Sequence, residues 1–260
     1  MGAPARLMAV VTGASSGIGR ATAIELSRDL PVIAVARRAA ALQAVSREAP
    51  GEVTPLCADV TTDTGLAAIV DAVGDDGVRY LAHGAGVYPV ESVHTLDALS
   101  WRAAMATNVD ARLFLTQRLA DRFVPGARVL FIGSLSAHTA RKGGMAYCTS
   151  KAASFMLQQC LRLELAGQGV LFANTYPGFV DTALMHGAIE ADREVLPDAA
   201  KYAAAADEGK LVAPAMVGRF YRWLFTATSD EAFNRDDWKV LDPAHHAHWT
   251  GGESLYSGRA

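Results

Sequence analysis

Short apolar segments alternate with longer amphipathic stretches along most of this 260-residue chain. Several of the short segments are apolar throughout, as expected for strands covered on both faces of a sheet. They predict strands at Leu7–Val11, Pro31–Ala36, Val53–Cys57, Val78–His83, Ala127–Ile132, Val170–Tyr176 and Trp238–Leu241. The longer stretches predict helices at Gly17–Arg28, Arg38–Glu48, Thr64–Val73, Leu99–Arg122, Tyr147–Ala166 and Ala213–Ala227. This order predicts repeated β-α-β units, and hence an α/β fold with a mainly parallel seven-stranded sheet and helices on both faces.

The length and composition suit one large hydrophobic core. The chain is 51% hydrophobic and has no linker, repeat or low-complexity segment, so residues 1–260 are expected to form a single domain. The alanine-rich segment 181–212, which Pro197 interrupts, breaks the alternation of strands and helices. It is either a surface helical excursion or a cover over a site, and we predict that it is a substrate lid.

The charge and the hydropathy exclude two classes of partner. A net charge of −3 implies no broad basic surface, so nucleic acid is not an expected partner. No apolar run approaches the ~20 residues that span a bilayer, so no membrane partner is expected. The first predicted strand begins at Leu7, which leaves no room for a signal peptide.

The cysteines and histidines show no metal-ligand pattern. The spacing of the three cysteines, Cys57, Cys148 and Cys160, is neither paired nor typical of a metal site, which fits a reducing, cytoplasmic setting. A metal site could be sought at His245, His246 and His248, but no carboxylate or cysteine is spaced to complete it. We therefore predict no metal, and a solvated polar tail from Asp242 onward.

A glycine-rich turn joins the first predicted strand to the first predicted helix. It reads Thr12-Gly13-Ala14-Ser15-Ser16-Gly17-Ile18-Gly19. Glycines let the backbone pass close to a pyrophosphate, and the helix N-terminus offers unpaired N–H groups and a positive dipole end. An ordinary glycine-rich turn is the alternative. Because of its position between strand and helix, we predict a dinucleotide site in a Rossmann-like, doubly wound fold.

The end of the second predicted strand indicates which dinucleotide binds. A site for NAD usually has Asp or Glu there, to accept hydrogen bonds from the ribose 2′-hydroxyl. Here Ala36 is followed by Arg37 and Arg38, whose guanidinium groups suit a 2′-phosphate. The alternative is that both arginines are only the solvated start of a helix. We predict that NADP(H) is the cofactor.

Tyr147 and Lys151 lie four residues apart, which places both side chains on one helix face. A phenol with a pKa of ~10 is a poor acid–base catalyst at neutral pH, and a pKa of ~7 requires about 4 kcal/mol of preference for the phenolate. A cation ~4 Å away at an effective dielectric of ~20 supplies about that much. The spacing therefore predicts that Lys151 tunes Tyr147 for proton transfer.

In combination, these motifs resemble the short-chain dehydrogenase/reductase family over roughly residues 7–182. The resemblance implies that Asp59 and Val60 contact the adenine and that Asn108 is the structural and proton-relay asparagine. It also implies that Ser134, thirteen residues before Tyr147, is the catalytic serine, because the step from Ser136 does not fit. One further segment resembles the part of the family that packs on the nicotinamide end of the cofactor. It reads Pro177-Gly178-Phe179-Val180-Asp181-Thr182.

The chain departs from the family after the fourth predicted strand. The usual Asn-Asn-Ala-Gly is replaced by His83-Gly84-Ala85-Gly86, which keeps the glycines that allow close backbone approach. Cofactor binding is expected to survive, and we interpret His83 as a core histidine rather than a catalytic one. The family's glycine-rich C-terminal ending is not recognisable. The resemblance still implies a homodimer or homotetramer, through the two long predicted helices.

The motifs and the resemblance together define a predicted site. The predicted catalytic residues are Asn108, Ser134, Tyr147 and Lys151. The predicted cofactor-binding residues are Gly13, Ser15, Ser16, Gly17, Ile18, Gly19, Arg37, Arg38, Asp59, Val60, Gly84, Ala85, Gly86, Asn108, Tyr147, Lys151, Pro177, Gly178, Val180 and Thr182.

The predicted activity is NADP(H)-dependent interconversion of a carbonyl and an alcohol. Tyr147 would exchange the proton with the reacting oxygen, and Ser134 would hydrogen-bond that oxygen. Apolar and aromatic side chains in segments 87–89, 138–145 and 179–186 predict a small to medium apolar or aromatic substrate. Three alternatives are a 3-oxoacyl thioester reductase whose acidic carrier docks on Arg141 and Lys142, a non-catalytic NADP(H)-binding regulator, and a nucleotide-sugar epimerase or dehydratase.

Overall fold

A parallel sheet forms the centre of the protein. The computed structural model describes residues 6–258. The strands are β1 (Leu7–Thr12), β2 (Val32–Ala36), β3 (Val53–Cys57), β4 (Gly77–His83), β5 (Phe123–Ile132), β6 (Leu171–Tyr176) and β7 (Trp238–Lys239). All pair in parallel, in the order β3-β2-β1-β4-β5-β6-β7. The predicted fold class, a Rossmann-like seven-stranded parallel sheet with helices around it, is confirmed.

Helices cover both faces of this sheet. They are α1 (Gly17–Leu26), α2 (Ala39–Glu48), α3 (Asp63–Val73), α4 (Ala98–Met105), α5 (Ala111–Arg118), α6 (Met145–Glu164), α7 (Ala183–Ile189), α8 (Ala199–Asp207), α9 (Pro214–Ala227) and α10 (Asp230–Phe233). One apolar core lies between the sheet and α1 and α9, and a second lies between the opposite face and α3, α5 and α6. Burial on both sides explains why the strands are apolar throughout.

The stretch Leu99–Arg122 is helical as predicted, but it is not one regular α-helix. A π-helical turn, Ala106–Asp110, separates α4 from α5, and a 3₁₀ turn at Ala120–Arg122 follows α5. The π turn contains Asn108, whose side chain bonds to the backbone of Val87 and to Ser150. Such turns insert an extra residue into a helix and are frequent at functional sites.

Segment 181–212 holds α7 and α8, which share a small apolar core of their own. Ala188, Leu196, Ala199 and Tyr202 are buried in it, and Tyr88 and Phe179 pack against it. Val212, at the end of the segment, bridges to Val180 and to Tyr256 near the C-terminus. The segment is therefore anchored at its end and folded against residues from the carboxyl edge of the sheet.

The expectation of a solvated polar tail after Asp242 is wrong for His245. This side chain is 7% exposed and packs against Phe220 and Trp223, and its Nδ1 accepts a hydrogen bond from Trp249 Nε1 at 2.9 Å. Burial lowers the pKa of His245, because the charged imidazolium is disfavoured among aromatic rings. Aromatic stacking at the end of α9 thus draws the tail into the fold.

Two general expectations concern the whole chain. No helix within residues 6–258 combines the length and the apolar character needed to cross a membrane. The predicted domain range of residues 1–260 includes residues 1–5 and 259–260, which lie outside the described residues.

Candidate functional site

The site lies where the sheet order reverses, between β1 and β4. The chain leaves β1 toward α1 on one face, and after β4 it continues through α4 to α5 on the other, which opens a crevice at the carboxyl edge. The hydroxyl of Thr12, the last residue of β1, accepts hydrogen bonds from the backbone N–H groups of Gly84 at 3.1 Å and Ala85 at 3.2 Å. This contact ties the two turns on either side of the crevice together.

The glycine turn after β1 is tight enough to require glycine. Gly13 has φ +67°, and a Cβ there would lie 2.6 Å from the backbone of Gly84 and Ala85. A Cβ on Gly19 would lie 2.4 Å from the carbonyl oxygen of Gly13. Ser16, at the N-terminus of α1, makes no side-chain capping bond, so the first-turn N–H groups remain open to an anion.

One cavity of about 470 Å³ extends from this turn to the other predicted site residues. Arg37, Arg38 and Asp59 line it at one end, and Ser134, Tyr147 and Lys151 line it at the other. All predicted cofactor-binding residues line the cavity except Asn108, which lies behind its wall. The turn, the arginines and the hydroxyl groups therefore form one continuous site.

The arginine end of the cavity is ordered by side-chain contacts. Arg38 Nη2 donates to Ser15 Oγ at 3.1 Å, which links β2 to the glycine turn. Burial opposes ionisation of Asp59, but hydrogen bonds from Thr61 and the charge of Arg37 hold the pKa of this carboxyl below its ordinary value. Arg37 and Arg38 thus present guanidinium groups beside the end of β2, where a 2′-substituent on the ribose would lie.

At the opposite end, three polar side chains converge. Ser134 hydrogen-bonds the Tyr147 hydroxyl, and its own Oγ also accepts from the backbone N–H of Ser136 at 3.1 Å. Lys151 Nζ lies 5.5 Å from the centroid of the Tyr147 ring and donates to the carbonyl oxygen of Ile132 at 2.8 Å. Ser136, the neighbouring serine, instead accepts a hydrogen bond from Arg141 Nε at 3.0 Å. Ser134, and not Ser136, therefore lies beside the phenol.

Comparison with known proteins gives the family. The family model described as "short chain dehydrogenase" matches residues 7–193 of this chain. The chain belongs to the short-chain dehydrogenase family. It is accordingly an oxidoreductase of a family that uses a nicotinamide cofactor and acts on small molecules.

Individual relatives agree with this assignment. An uncharacterized oxidoreductase of Mycobacterium tuberculosis is 33% identical over 178 residues, which are 67% of this chain and 70% of that protein. An uncharacterized oxidoreductase of Staphylococcus haemolyticus is 28% identical over 212 residues, covering 75% of this chain and 90% of that protein. The crystal structure of the KRED1-Pglu enzyme superposes with a TM-score of 0.81 at 28% identity, covering 88% of this chain and 99% of that chain.

The electrostatics at the phenol of this dehydrogenase differ from those expected from the Tyr147–Lys151 spacing alone. Burial raises the pKa of Tyr147, and the hydrogen bond from Ser134 and the charge of Arg112 act in the opposite direction. Burial, followed by the charge of Arg112, lowers the pKa of Lys151 well below its ordinary value. Ser134 and Arg112 are therefore two groups that oppose the effect of burial on the pKa of Tyr147, and Arg112 was not expected from the spacing.

Asn108 and His83 both lie outside the cavity. Asn108 is 0% exposed, and its side chain accepts from Val87 N–H at 3.0 Å and donates to the Val87 carbonyl at 3.0 Å and to Ser150 Oγ at 2.9 Å. His83 is buried, with Nε2 3.0 Å from Thr116 Oγ1 and its ring edge on Phe131. Burial, followed by the charge of Arg112, lowers the pKa of His83, which keeps this side chain neutral.

The cavity wall of this dehydrogenase also contains side chains outside the catalytic and cofactor motifs. Tyr88 stacks on Tyr147 with ring centroids 4.0 Å apart, and Arg141 forms an ion pair with Asp198 from the start of α8. Tyr88, Arg141, Phe179, Leu184 and Met185 line the cavity as the segment predictions suggested, whereas Met145 and Lys142 do not. Arg112 lines it without having been predicted, and Lys201 and Tyr202 line it from segment 181–212, the predicted lid. No sequence motif indicated Arg112, because an arginine on a predicted helix is usually solvated.

Proposed function

We propose that this dehydrogenase uses NADP(H) to interconvert a carbonyl and an alcohol on a small to medium apolar or aromatic substrate. The observation that carries the proposal is the single cavity with a glycine turn and two arginines at one end and Ser134, Tyr147 and Lys151 at the other. The tight Gly13 and Gly19 positions and the uncapped N-terminus of α1 suit a pyrophosphate.

The chemistry follows from the side chains at the catalytic end. The bound nicotinamide supplies or accepts the hydride. In reduction, Tyr147 donates its proton to the substrate oxygen, and Ser134 stabilises the charge that grows there by a hydrogen bond. Lys151 holds the nicotinamide ribose, and Asn108 fixes the π turn and the start of α6 through Val87 and Ser150. This assignment of roles extends the family membership to individual residues.

The substrate class is inferred from the wall opposite the glycine turn. Tyr88, Phe179, Leu184 and Met185 are aromatic or apolar, and the ion pair with Asp198 neutralises Arg141. Segment 181–212 would serve as the lid, because its small core packs on Tyr88 and Phe179. Lys201 Nζ, a cation on this side of the cavity, lies 5.5 Å from the centroid of the Phe179 ring. The apolar and aromatic side chains of the wall favour a neutral carbonyl compound as substrate.

A substrate panel tests the proposed activity directly. Purified enzyme with NADPH is offered aromatic and aliphatic ketones and aldehydes, 3-oxoacyl thioesters and charged 2-oxo acids, and nicotinamide absorbance is followed. We expect turnover with the neutral carbonyls and little with the charged acids. Binding of NADPH without reduction of any carbonyl would contradict the proposal and favour a non-catalytic cofactor-binding regulator.

The preference for NADP(H) depends on Arg37. We expect Arg37→Asp to weaken NADPH binding at least tenfold, since loss of a charge-assisted hydrogen bond costs about 1.5–3 kcal/mol and the new carboxylate repels the 2′-phosphate. NADH binding should change far less. Affinities of both cofactors, measured by fluorescence titration, check this. Arg47→Asp is the matched control, because Arg47 is exposed on α2, the helix that follows Arg37 and Arg38, and does not line the cavity. Equal losses for NADPH and NADH would contradict the role of Arg37.

The proposed setting is a cytoplasmic homodimer or homotetramer. Exposed apolar side chains on α4, α5 and α6 support an interface between copies of the chain, namely Leu99, Phe114, Met156 and Leu163. Light scattering of the purified protein measures the mass of the assembly, and a monomer would contradict this part of the proposal.

A further inference from the structure

Arg112 is a buried cation in the wall of the catalytic cavity. It is 2% exposed and is the second residue of α5, directly after the π-helical segment. Its Nη1 donates to Ser154 Oγ at 2.9 Å, its Nη2 donates to the Ile132 carbonyl at 3.3 Å, and its Nε has no partner among the described residues. Its guanidinium carbon lies 5.4 Å from the centroid of the Phe131 ring. Hydrogen bonds and packing therefore fix the position of this charge.

The charge of Arg112 is not balanced by an acid. Within residues 6–258, neither Arg112 nor Lys151 forms an ion pair with a carboxylate, and the two cations share the Ile132 carbonyl as acceptor. Arg128, another buried arginine of this protein, is paired with Asp230 at 2.8 Å. Burying a charge without a counter-ion is costly, and such groups are concentrated at functional sites. Arg112 Nη2 and Lys151 Nζ converge on the Ile132 carbonyl, and Lys151 Nζ lies 5.5 Å from the centroid of the Tyr147 ring. The phenol of Tyr147, which lines the same cavity, is therefore an acid placed to balance these cations.

We propose that Arg112 is a positioning residue whose fixed positive charge stabilises the phenolate form of Tyr147 and so supports proton transfer. The inference rests on the proposed role of Tyr147 as the acid–base group. The charge of Arg112 acts against the burial that raises the pKa of Tyr147, and it reinforces the burial that lowers the pKa of Lys151. Arg112 would thus add to the stabilisation that the four-residue spacing assigns to Lys151.

Other ionisable groups also lie near Arg112 and Tyr147. They are His83 from β4, Cys148 and Lys151 from α6, Tyr202 from α8, Tyr221 from α9, and Tyr88 and Arg141 from loops. Of these groups, His83 is kept neutral by burial, and Arg141 is paired with Asp198. The substitution that tests the proposal must therefore change Arg112 alone.

The sign of the effect is fixed by the mechanism. Reduction requires the protonated phenol, so its rate falls as pH rises through the pKa of Tyr147. Removing the cation raises that pKa, and the falling limb moves to higher pH. In the oxidative direction the phenolate is required, so the rising limb also moves to higher pH. A shift of about one pH unit or more is expected for loss of a nearby charge.

The test compares Arg112→Met and Arg112→Gln, which remove the charge, with Arg112→Lys, which retains it. We expect the first two to move the falling limb of kcat upward and Arg112→Lys to keep it near the wild-type position. The Gln side chain can still donate a hydrogen bond to Ser154, so Arg112→Gln gives the charge-free comparison if Arg112→Met does not fold. Arg128→Met is the matched control, because it removes a buried arginine outside the cavity and should lower stability without moving the limb.

A second measurement separates this inference from the proposed activity. Tyrosinate absorbance is titrated for each protein and for its counterpart carrying Tyr147→Phe, and the difference reports the phenol of Tyr147 without any substrate. Its midpoint should lie at higher pH in Arg112→Met than in the wild type. Unchanged midpoints would overturn the role of Arg112. A wild-type enzyme that reduces no carbonyl, but whose Tyr147 midpoint still moves in Arg112→Met, would contradict only the proposed activity.

Discussion

Replacement of Tyr147 by Phe should abolish most turnover while leaving the cofactor site intact. The substitution keeps the ring that stacks on Tyr88 and removes only the hydroxyl that bonds Ser134. Loss of a general acid slows a reaction by about 10²–10⁴-fold, and we expect a decrease in kcat of about 10³-fold, or about 4 kcal/mol of transition-state stabilisation. NADPH affinity should stay within about twofold, because one neutral contact contributes little to binding. Stopped-flow and steady-state rates, with a fluorescence titration of NADPH, give both quantities.

The control for this substitution is Tyr80→Phe. Tyr80 is a buried tyrosine on β4 whose ring packs on Phe225, and it does not line the cavity. Its loss of a hydroxyl should leave kcat at the wild-type value. If Tyr147→Phe turned over substrate at a rate similar to Tyr80→Phe, the proton donor would have to be another group, and the roles of Ser134 and Lys151 would fall with it.

The strands and the glycine turn could be predicted because their determinants are local. A strand buried on both faces is mostly apolar, so β1, β2, β4 and β6 were predicted within one residue at either end. The edge strand β3 is only partly buried, and it was predicted at its observed bounds. The break between α4 and α5 could not be predicted in this way. It depends on Asn108 meeting Val87 and Ser150, which are 21 and 42 residues away in the chain.

The same distinction applies to the site. The spacing of Tyr147 and Lys151 on one helix places both at the cavity, because helical geometry fixes their relative position. Arg112 gave no such signal, since an arginine on a helix is usually solvated. Its burial results from contacts with Ser154 on α6 and with the end of β5, which only the assembled fold provides. His245 is a similar case, because a histidine-rich tail looks solvated until its aromatic partners are known.

The glycine turn leads to the second large expected effect. Gly13→Ala should lower both the stability of the protein and its affinity for the cofactor. An alanine at φ +67° is strained, and its Cβ would lie 2.6 Å from the backbone N of Ala85 and from Gly84, neither of which can rotate away. Left-handed backbone costs about 1–2 kcal/mol for a non-glycine residue, and overpacking adds about 1–3 kcal/mol. The expected loss of about 3 kcal/mol corresponds to a decrease in Tm of about 6 °C for a chain of this size.

The effect on cofactor binding arises because relief of this overlap moves the turn itself. The N–H groups at the start of α1 and the backbone of Gly84 then no longer face the same point, so we expect NADPH affinity to fall at least tenfold, or about 1.4 kcal/mol. Gly167→Ala is the matched control, because a Cβ at Gly167 meets nothing within 4 Å. Saturating NADPH should raise the Tm of the wild type and of Gly167→Ala, since a ligand that binds only the native state stabilises it. The same NADPH concentration should raise the Tm of Gly13→Ala far less. If both glycine variants melted alike and gained equally from NADPH, this turn would not be the phosphate-binding turn.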